Sequence, residues 1–180
     1  MSIKEYNKLT NQEKLALVRF YPEEAKKDEH YIIRQEAYRI LGYTKEAFKD
    51  REESIRQEAY ETLGYTKEAL KDKHWTVRLQ AYRISGFTKE ALNDKDREIR
   101  LEAYRALGFI KKALNDKDWF IRTKAYEALG YTEEAKKDEH YIVRRDAYRA
   151  LGYTEEALKD REESIRQEAK IYLDFIKLNN

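Results

Sequence analysis

The sequence predicts an all-α protein, a right-handed α-solenoid of tandem 22-residue repeats that each contain a long helix and a short helix. The first reason is a pattern that starts at Asp28, DEHYIIRQEAYRILGYTKEAFK, and recurs without a gap toward the C-terminus. The second is that apolar residues recur every four positions, as on one face of an α-helix. A fixed period of this length is typical of repeat proteins, in which each unit buries its apolar face against its neighbours. We number the positions of the repeat from 1 to 22.

We expect one solenoid domain over residues 1–180. It divides into an N-terminal capping segment (1–27), six full repeats (28–159) and a seventh repeat with a C-terminal capping helix (160–180). Asp174 replaces the glycine that the six other repeats carry at position 15. The last helix should therefore continue through Phe175 and Ile176 and form a polar-backed cap.

The N-terminal segment contains signals for three helix starts. Ser2 with Glu5, and Thr10 with Glu13, have the spacing of capping boxes. Pro22 is suited to the first turn of a short helix, where a missing backbone N–H group is harmless.

Each position of the repeat has an expected role. Asp at position 1 is predicted to cap the long helix, with capping boxes at Asp50 and Asp160. Positions 6, 10 and 14 carry Ile or Val, Ala, and mostly Leu, and predict the core stripe, with the tyrosine of position 11 at its edge and its hydroxyl group in water. Glycine at position 15 supplies a left-handed residue that ends the helix. Threonine at position 17 should cap a second, partly 3₁₀ helix, and alanine at positions 10 and 20 lets neighbouring helices approach closely.

Composition excludes several classes of function. The net charge of +2 gives no reason to expect a polyanionic partner, and the absence of cysteine excludes disulfides and thiolate metal sites. No apolar run approaches the ~18 residues of a membrane span, and the N-terminus lacks the features of a signal peptide. We therefore expect a cytoplasmic protein without a cofactor. The sequence contains neither a phosphate-binding glycine loop nor a nucleophile elbow, so we expect no enzymatic activity.

The pattern D-x4-[IV]-R-x2-A-x3-L-G over residues 28–173 resembles the HEAT-like repeats of the phycobilisome-lyase type. The unit is shorter than the ~40 residues of HEAT repeats. In alternating a long with a short helix it is similar to leucine-rich-repeat-variant proteins. HEAT-like relatives include scaffolds, bilin lyases and alkylpurine DNA glycosylases, and a bilin-lyase-like enzyme would require a chromophore pocket.

The resemblance implies that the Asp of position 1 and the Arg of position 7 are structural and link adjacent units in a ladder. The residues themselves favour ion pairs over a phosphate-binding stripe, because each Arg follows an Asp by about one and a half helical turns, and this pairing removes the excess positive charge. The ladder residues are Asp28, Asp50, Asp72, Asp94, Asp116, Asp138 and Asp160, with Arg34, Arg56, Arg78, Arg100, Arg122, Arg144 and Arg166.

Positions 4, 8 and 12 lie together on a helical wheel, away from the core stripe. In the central repeats, positions 4 and 8 include Trp75, Leu79, Leu101 and Trp119, large apolar side chains of the kind found in the cores of protein interfaces. The alternative is that these rings fill the seams between repeats. The candidate binding residues are Tyr31, Trp75, Leu79, Arg97, Leu101, Trp119 and Tyr141.

Other polar residues are expected to be ordinary surface groups. His30, His74 and His140 all occupy position 3, and repeats two apart are separated by roughly 20 Å, which is too far for one metal ion to bridge. We therefore predict no metal site, and place these histidines at the surface beside aromatic residues. Intrahelical surface pairs are expected at Glu36–Arg39, Glu102–Arg105 and Asp146–Arg149.

Together these features predict a non-catalytic scaffold that binds a protein or peptide along a repeat-lined surface. The alternative is a nucleic-acid-binding HEAT-like protein, with or without glycosylase-like activity, although the paired charges disfavour nucleic acid. The sequence leaves the oligomeric state open.

Overall fold

The computed structural model describes residues 3–64 and 67–179, and all of the regular structure in these ranges is helical. The chain divides into two compact units, Met1–Gly86 and Phe87–Asn180. The α-helices of the first unit are α1 (Ile3–Tyr6), α2 (Asn11–Leu17), α3 (Pro22–Ala25), α4 (Tyr31–Leu41), α5 (Glu53–Leu63) and α6 (Trp75–Ser85). Those of the second are α7 (Arg97–Ala106), α8 (Ile110–Ala113), α9 (Trp119–Leu129), α10 (Tyr141–Leu151) and α11 (Glu163–Asn179). Short 3₁₀ helices span Ala47–Lys49, Ala69–Lys71, Lys89–Asn93, Glu133–Lys137 and Ala157–Lys159.

The long helices follow the 22-residue period of the sequence. They begin at Tyr31, Glu53, Trp75, Arg97, Trp119, Tyr141 and Glu163. The first residue of every long helix is therefore position 4 of its repeat. The short element that follows each of the first six long helices is a 3₁₀ helix in five repeats and the α-helix α8 in the fourth. The sequence predicts a second helix that is partly 3₁₀.

The predicted helix caps are partly wrong. Asp50 does not cap α5, because its Oδ1 accepts the backbone N–H of Glu52 (2.8 Å) in the turn before the helix, and Glu52 itself occupies the cap position. Asp160 does the same with Glu162, so neither aspartate forms a capping box. In both repeats the long helix begins at position 4, so position 3 and not position 1 precedes its first residue. At the N-terminal end the capping box at Thr10 is confirmed.

The remaining signals at helix ends give mixed results. Pro22 begins α3, and α11 continues to Asn179, as the sequence predicts. Thr88 and Thr132 precede their 3₁₀ helices, but neither side chain makes a capping hydrogen bond, so the threonine caps are wrong there. The Ser2 capping box lies outside the described residues.

The glycines at position 15 adopt a backbone that other residues avoid. All six have positive φ, between 70° and 90°, as predicted. Gly42 has a ψ of 141°, far from the left-handed helical value of about 47°. The chain therefore leaves the long helix in an extended direction here and at Gly64, Gly86, Gly130 and Gly152, where ψ is 136–143°, and the prediction of a left-handed helical cap is wrong in ψ at these five glycines. At Gly108 the predicted cap is confirmed, because the N–H of Gly108 donates to the carbonyl oxygen of Arg105 at 3.1 Å and the N–H of Phe109 to that of Tyr104 at 2.8 Å.

The core is built from positions 6, 10, 11 and 20. The Ile or Val of position 6 and both alanines are fully buried, as expected. The position 11 tyrosines are buried rather than at the core edge, and three of them stack on the tyrosine of position 16, for example Tyr38 on Tyr43 with ring centroids 5.9 Å apart. Leucines at position 14, such as Leu41 and Leu63, are exposed instead of buried. They are the last residues of their helices, and the chain turns away at the next glycine before another element covers them.

Candidate functional site

Five arginines of position 7 bind the aspartate of the following repeat. Each of these five guanidinium groups donates through Nε and Nη2 to the two carboxylate oxygens of that aspartate, at 2.8–3.0 Å. Nη1 donates backward to backbone carbonyls, as in Arg100, which binds the carbonyl oxygen of Asp94 at 2.9 Å. The aspartate about one and a half turns earlier therefore supplies its carbonyl oxygen and not its carboxylate. The pairs seen are Arg34–Asp50, Arg56–Asp72, Arg100–Asp116, Arg122–Asp138 and Arg144–Asp160.

Other members of the series are held by related contacts. Asp28 has no repeat before it, and Lys14 of the capping segment binds its carboxylate at 2.8 Å. Arg166 donates Nη1 to the carbonyl oxygen of Asp160 at 2.7 Å. Arg78 donates in the same way to Asp72 at 2.8 Å, and Asp94 accepts the backbone N–H of Asp96 at 2.8 Å. The hydrogen bond from Nη1 to the carbonyl oxygen of the position 1 aspartate in the same repeat is therefore present in Arg78 and Arg166 as well as in Arg100.

The ladder holds buried charges in their ionised forms. Burial alone raises the pKa of Asp116, but hydrogen bonds from Arg100 and from the backbone of Asp118 together lower that pKa below its usual value. In the opposite direction, hydrogen bonding to Asp138 raises the pKa of Arg122 despite its burial. Because these guanidinium groups are buried and bound on both edges, they are not free to bind an external ligand.

In the first unit, the candidate binding residues are only partly at the surface. Trp75 is 37% exposed, and its ring lies 6.5 Å from that of His74. Tyr31 is exposed and stacks on His30 at 5.6 Å. Leu79 is only 7% exposed, so its predicted place on a surface ridge is wrong. Position 8 lies close to the face that the neighbouring elements cover.

In the second unit, five side chains form a continuous row of contacts, which we call the aromatic ribbon: Arg97, Phe120, Trp119, His140 and Tyr141. The guanidinium of Arg97 lies 4.6 Å from the centroid of the Phe120 ring. Trp119 meets Phe120 edge to face at 6.0 Å and stacks on His140 at 4.6 Å, and His140 stacks on Tyr141 at 5.2 Å.

The ribbon contains features of both alternatives for position 4. Trp119 is half-buried and bridges α9 to the residue that precedes α10, as a ring in a seam would. Tyr141 remains 38% exposed, and Arg97 is exposed. The prediction that Leu101 lies at the surface is wrong, because its side chain is 6% exposed and packs with Tyr104 in the core. Phe120 was not among the candidates, although it is the one aromatic residue at position 5 of any repeat.

Two arginines of position 12 bind a glutamate of the neighbouring repeat rather than one on their own helix. Arg39 donates Nε to Glu58 of the next repeat at 2.9 Å, while its contact with Glu36 of its own helix is 3.8 Å long. Arg149 binds Glu168 in the same manner at 2.8 Å. The expected intrahelical pairing at Glu36–Arg39 is therefore secondary, because the neighbouring helix presents a better-placed carboxylate.

The described residues show no sign of a metal site or a membrane span. Among them, no group of three His, Cys, Asp or Glu side chains could hold a metal ion. Within the same part of the chain, no helix is long and apolar enough to cross a bilayer.

Comparison with known proteins gives no relative. No protein-family model, no curated protein and no solved structure matches this chain. The resemblance to HEAT-like repeats thus remains a prediction from the motif alone.

Proposed function

We propose that this chain is a non-catalytic scaffold, a right-handed α-solenoid of 22-residue repeats that binds a protein or peptide partner along its repeat-lined surface. The observation that carries the proposal is the aromatic ribbon. It combines aromatic and arginine side chains, the residue types that dominate binding energy at protein interfaces. Support for the solenoid comes from the regular helix spacing and from the arginine–aspartate pairs that join successive repeats within each unit.

The ribbon is suited to a binding surface because its members are already ordered. Stacked rings such as Trp119 and His140 lose little conformational freedom when a partner covers them. Tyr141 and Arg97 leave apolar and cationic surface in water, which a partner could cover. A peptide that crosses the ribbon would therefore gain contact area without ordering new side chains.

Nucleic acid is the less favoured partner. Binding to phosphates requires accessible cations, whereas five of the arginines of position 7 are buried against carboxylates, as Arg100 is against Asp116. The net charge of +2 adds little attraction for a polyanion.

The proposal predicts a loss of peptide binding in Tyr141→Ala and Arg97→Ala. Peptides of 12 residues would be selected from a random phage-displayed library on the wild-type protein, and their dissociation constants measured by isothermal titration calorimetry. Each variant should weaken binding at least tenfold, because a truncated interface anchor costs about 2 kcal/mol or more.

The matched control is Leu151→Ala, which lies on the same helix and is 41% exposed, close to the 38% of Tyr141. It should bind the peptides like the wild type. Failure to enrich any peptide would contradict the proposed function. Binding of an oligonucleotide below about 1 µM at 150 mM salt would favour the nucleic-acid alternative instead.

A further inference from the structure

The surface pairs between positions 12 and 9 of successive repeats change character within the second unit. At the junction of repeats 6 and 7 the pair is Arg149 with Glu168, which bind at 2.8 Å. The same positions carry Arg105 and Lys124 at the junction of repeats 4 and 5, and Glu127 and Asp146 at the next junction. Two adjacent junctions therefore place like charges opposite each other, one cationic and one anionic.

Contacts within single repeats replace the missing pairs. Lys124 binds Glu127 of its own helix at 2.6 Å, and Asp146 accepts from its neighbour Arg145 at 3.2 Å. Arg105 is exposed and, in the part of the chain that the structure describes, forms no ion pair. Like charges on facing positions destabilise a fold. Local rules broken in this way are expected at functional sites.

The two like-charged junctions adjoin the aromatic ribbon. The Nζ of Lys124 lies 5.6 Å from the centroid of the Phe120 ring, so the cationic junction borders the ribbon directly. Glu127 and Asp146 occupy the same two repeat positions as Arg149 and Glu168, which bind each other at the next junction. The anionic junction therefore has two carboxylates at the positions where the next junction has an ion pair.

We propose that this part of the second unit recognises an extended peptide that carries an acidic and a basic side chain about three residues apart. The acidic group would bind Arg105 and Lys124, and the basic group would bind Glu127 and Asp146. The spacing follows from geometry, since packed helices lie about 8–10 Å apart and an extended chain advances about 3.3 Å per residue. This inference rests on the proposed function and specifies its partner.

The test is the double variant Lys124→Glu with Glu127→Arg. It preserves the net charge and the i,i+3 pair, but places Glu opposite Arg105 and Arg opposite Asp146, as Glu168 lies opposite Arg149. Peptides selected on the wild-type protein should bind this variant at least tenfold more weakly. Its melting temperature should rise by about 2–4 °C, because two surface pairs replace two repulsive junctions. The enriched peptides should contain the acidic and basic residues at the stated spacing.

The matched control is the exchange of Glu134 and Lys137, an exposed i,i+3 pair of the same repeat. This variant should change neither binding nor melting temperature. Selected peptides that bind the charge-exchanged protein as tightly as the wild type would overturn the peptide specificity while leaving the proposed function intact. A lower melting temperature would overturn the assignment of the junctions, and failure to select any peptide would remove the proposed function itself.

Discussion

Replacing Arg100 with alanine should lower the stability of the protein by about 3–5 kcal/mol, because a buried carboxylate loses its bound cation. The guanidinium of Arg100 is almost fully buried, and binds both carboxylate oxygens of Asp116 at 3.0 Å and the carbonyl oxygen of Asp94 at 2.9 Å. Alanine leaves all of these acceptors without their donor. For a chain of this size the melting temperature should fall by about 6–20 °C.

The comparison is with Arg105→Ala, five residues later on the same helix. Arg105 is exposed and forms no ion pair among the described residues, so its replacement should cost less than about 1 kcal/mol. A second comparison, Arg100→Ala combined with Asp116→Ala, should recover part of the loss, because no buried charge remains unpaired. Equal melting temperatures for Arg100→Ala and Arg105→Ala would show that the pair contributes little to the fold.

The sequence predicts the local architecture well because the repeat makes its signals redundant. The φ of Gly42 follows from its place after a helix, and the burial of Ala37 follows from the apolar stripe. Both features depend on residues of one repeat only. The length of α11 is likewise predicted, because Asp174 removes the stop signal that glycine supplies in the other repeats.

The surface was harder to predict because it depends on neighbouring repeats. A helical wheel gives the direction of Leu79 or Leu101 within one helix, but it does not show which neighbouring element covers that direction. Both leucines are buried for this reason. The partner of Arg34 was misplaced in the same way: Asp28 is closer in sequence, but the carboxylate of Asp50 in the next repeat faces the guanidinium.

The charge pattern between repeats could have been found from the sequence. Positions 9 and 12 are Lys124 and Glu127 in one repeat and Asp146 and Arg149 in the next. Their significance depends on one structural fact, which is that position 12 binds position 9 of the following repeat. Without that fact, the same residues read as ordinary intrahelical pairs.

Lowering the pH should unfold the protein steeply below about pH 4, because the ladder aspartates bind protons more weakly in the folded than in the unfolded chain. Five of them have a pKa below the usual value, since burial raises it but arginine and backbone hydrogen bonds lower it more: Asp50, Asp72, Asp116, Asp138 and Asp160. A depressed pKa stabilises the folded state above the unfolded value of about 3.9. That contribution disappears as the pH falls through the folded values.

The size of the acid effect follows from proton linkage. Between the folded and unfolded pKa values, each such aspartate adds up to about 1.4 kcal/mol to the free energy of unfolding per pH unit. Urea unfolding at pH values from 7 to 2.5 should therefore show a free energy of unfolding that falls with pH, and these five carboxyl groups contribute at most five protons to its slope. In Asp116→Asn the slope should be smaller, by at most one proton, because the amide does not titrate. Titration of the aspartate carboxyl carbons by NMR in the wild-type protein gives the folded pKa values directly. Values at or above the ordinary aspartate pKa, or a stability that is constant down to pH 2.5, would contradict a role of the ladder in holding these charges.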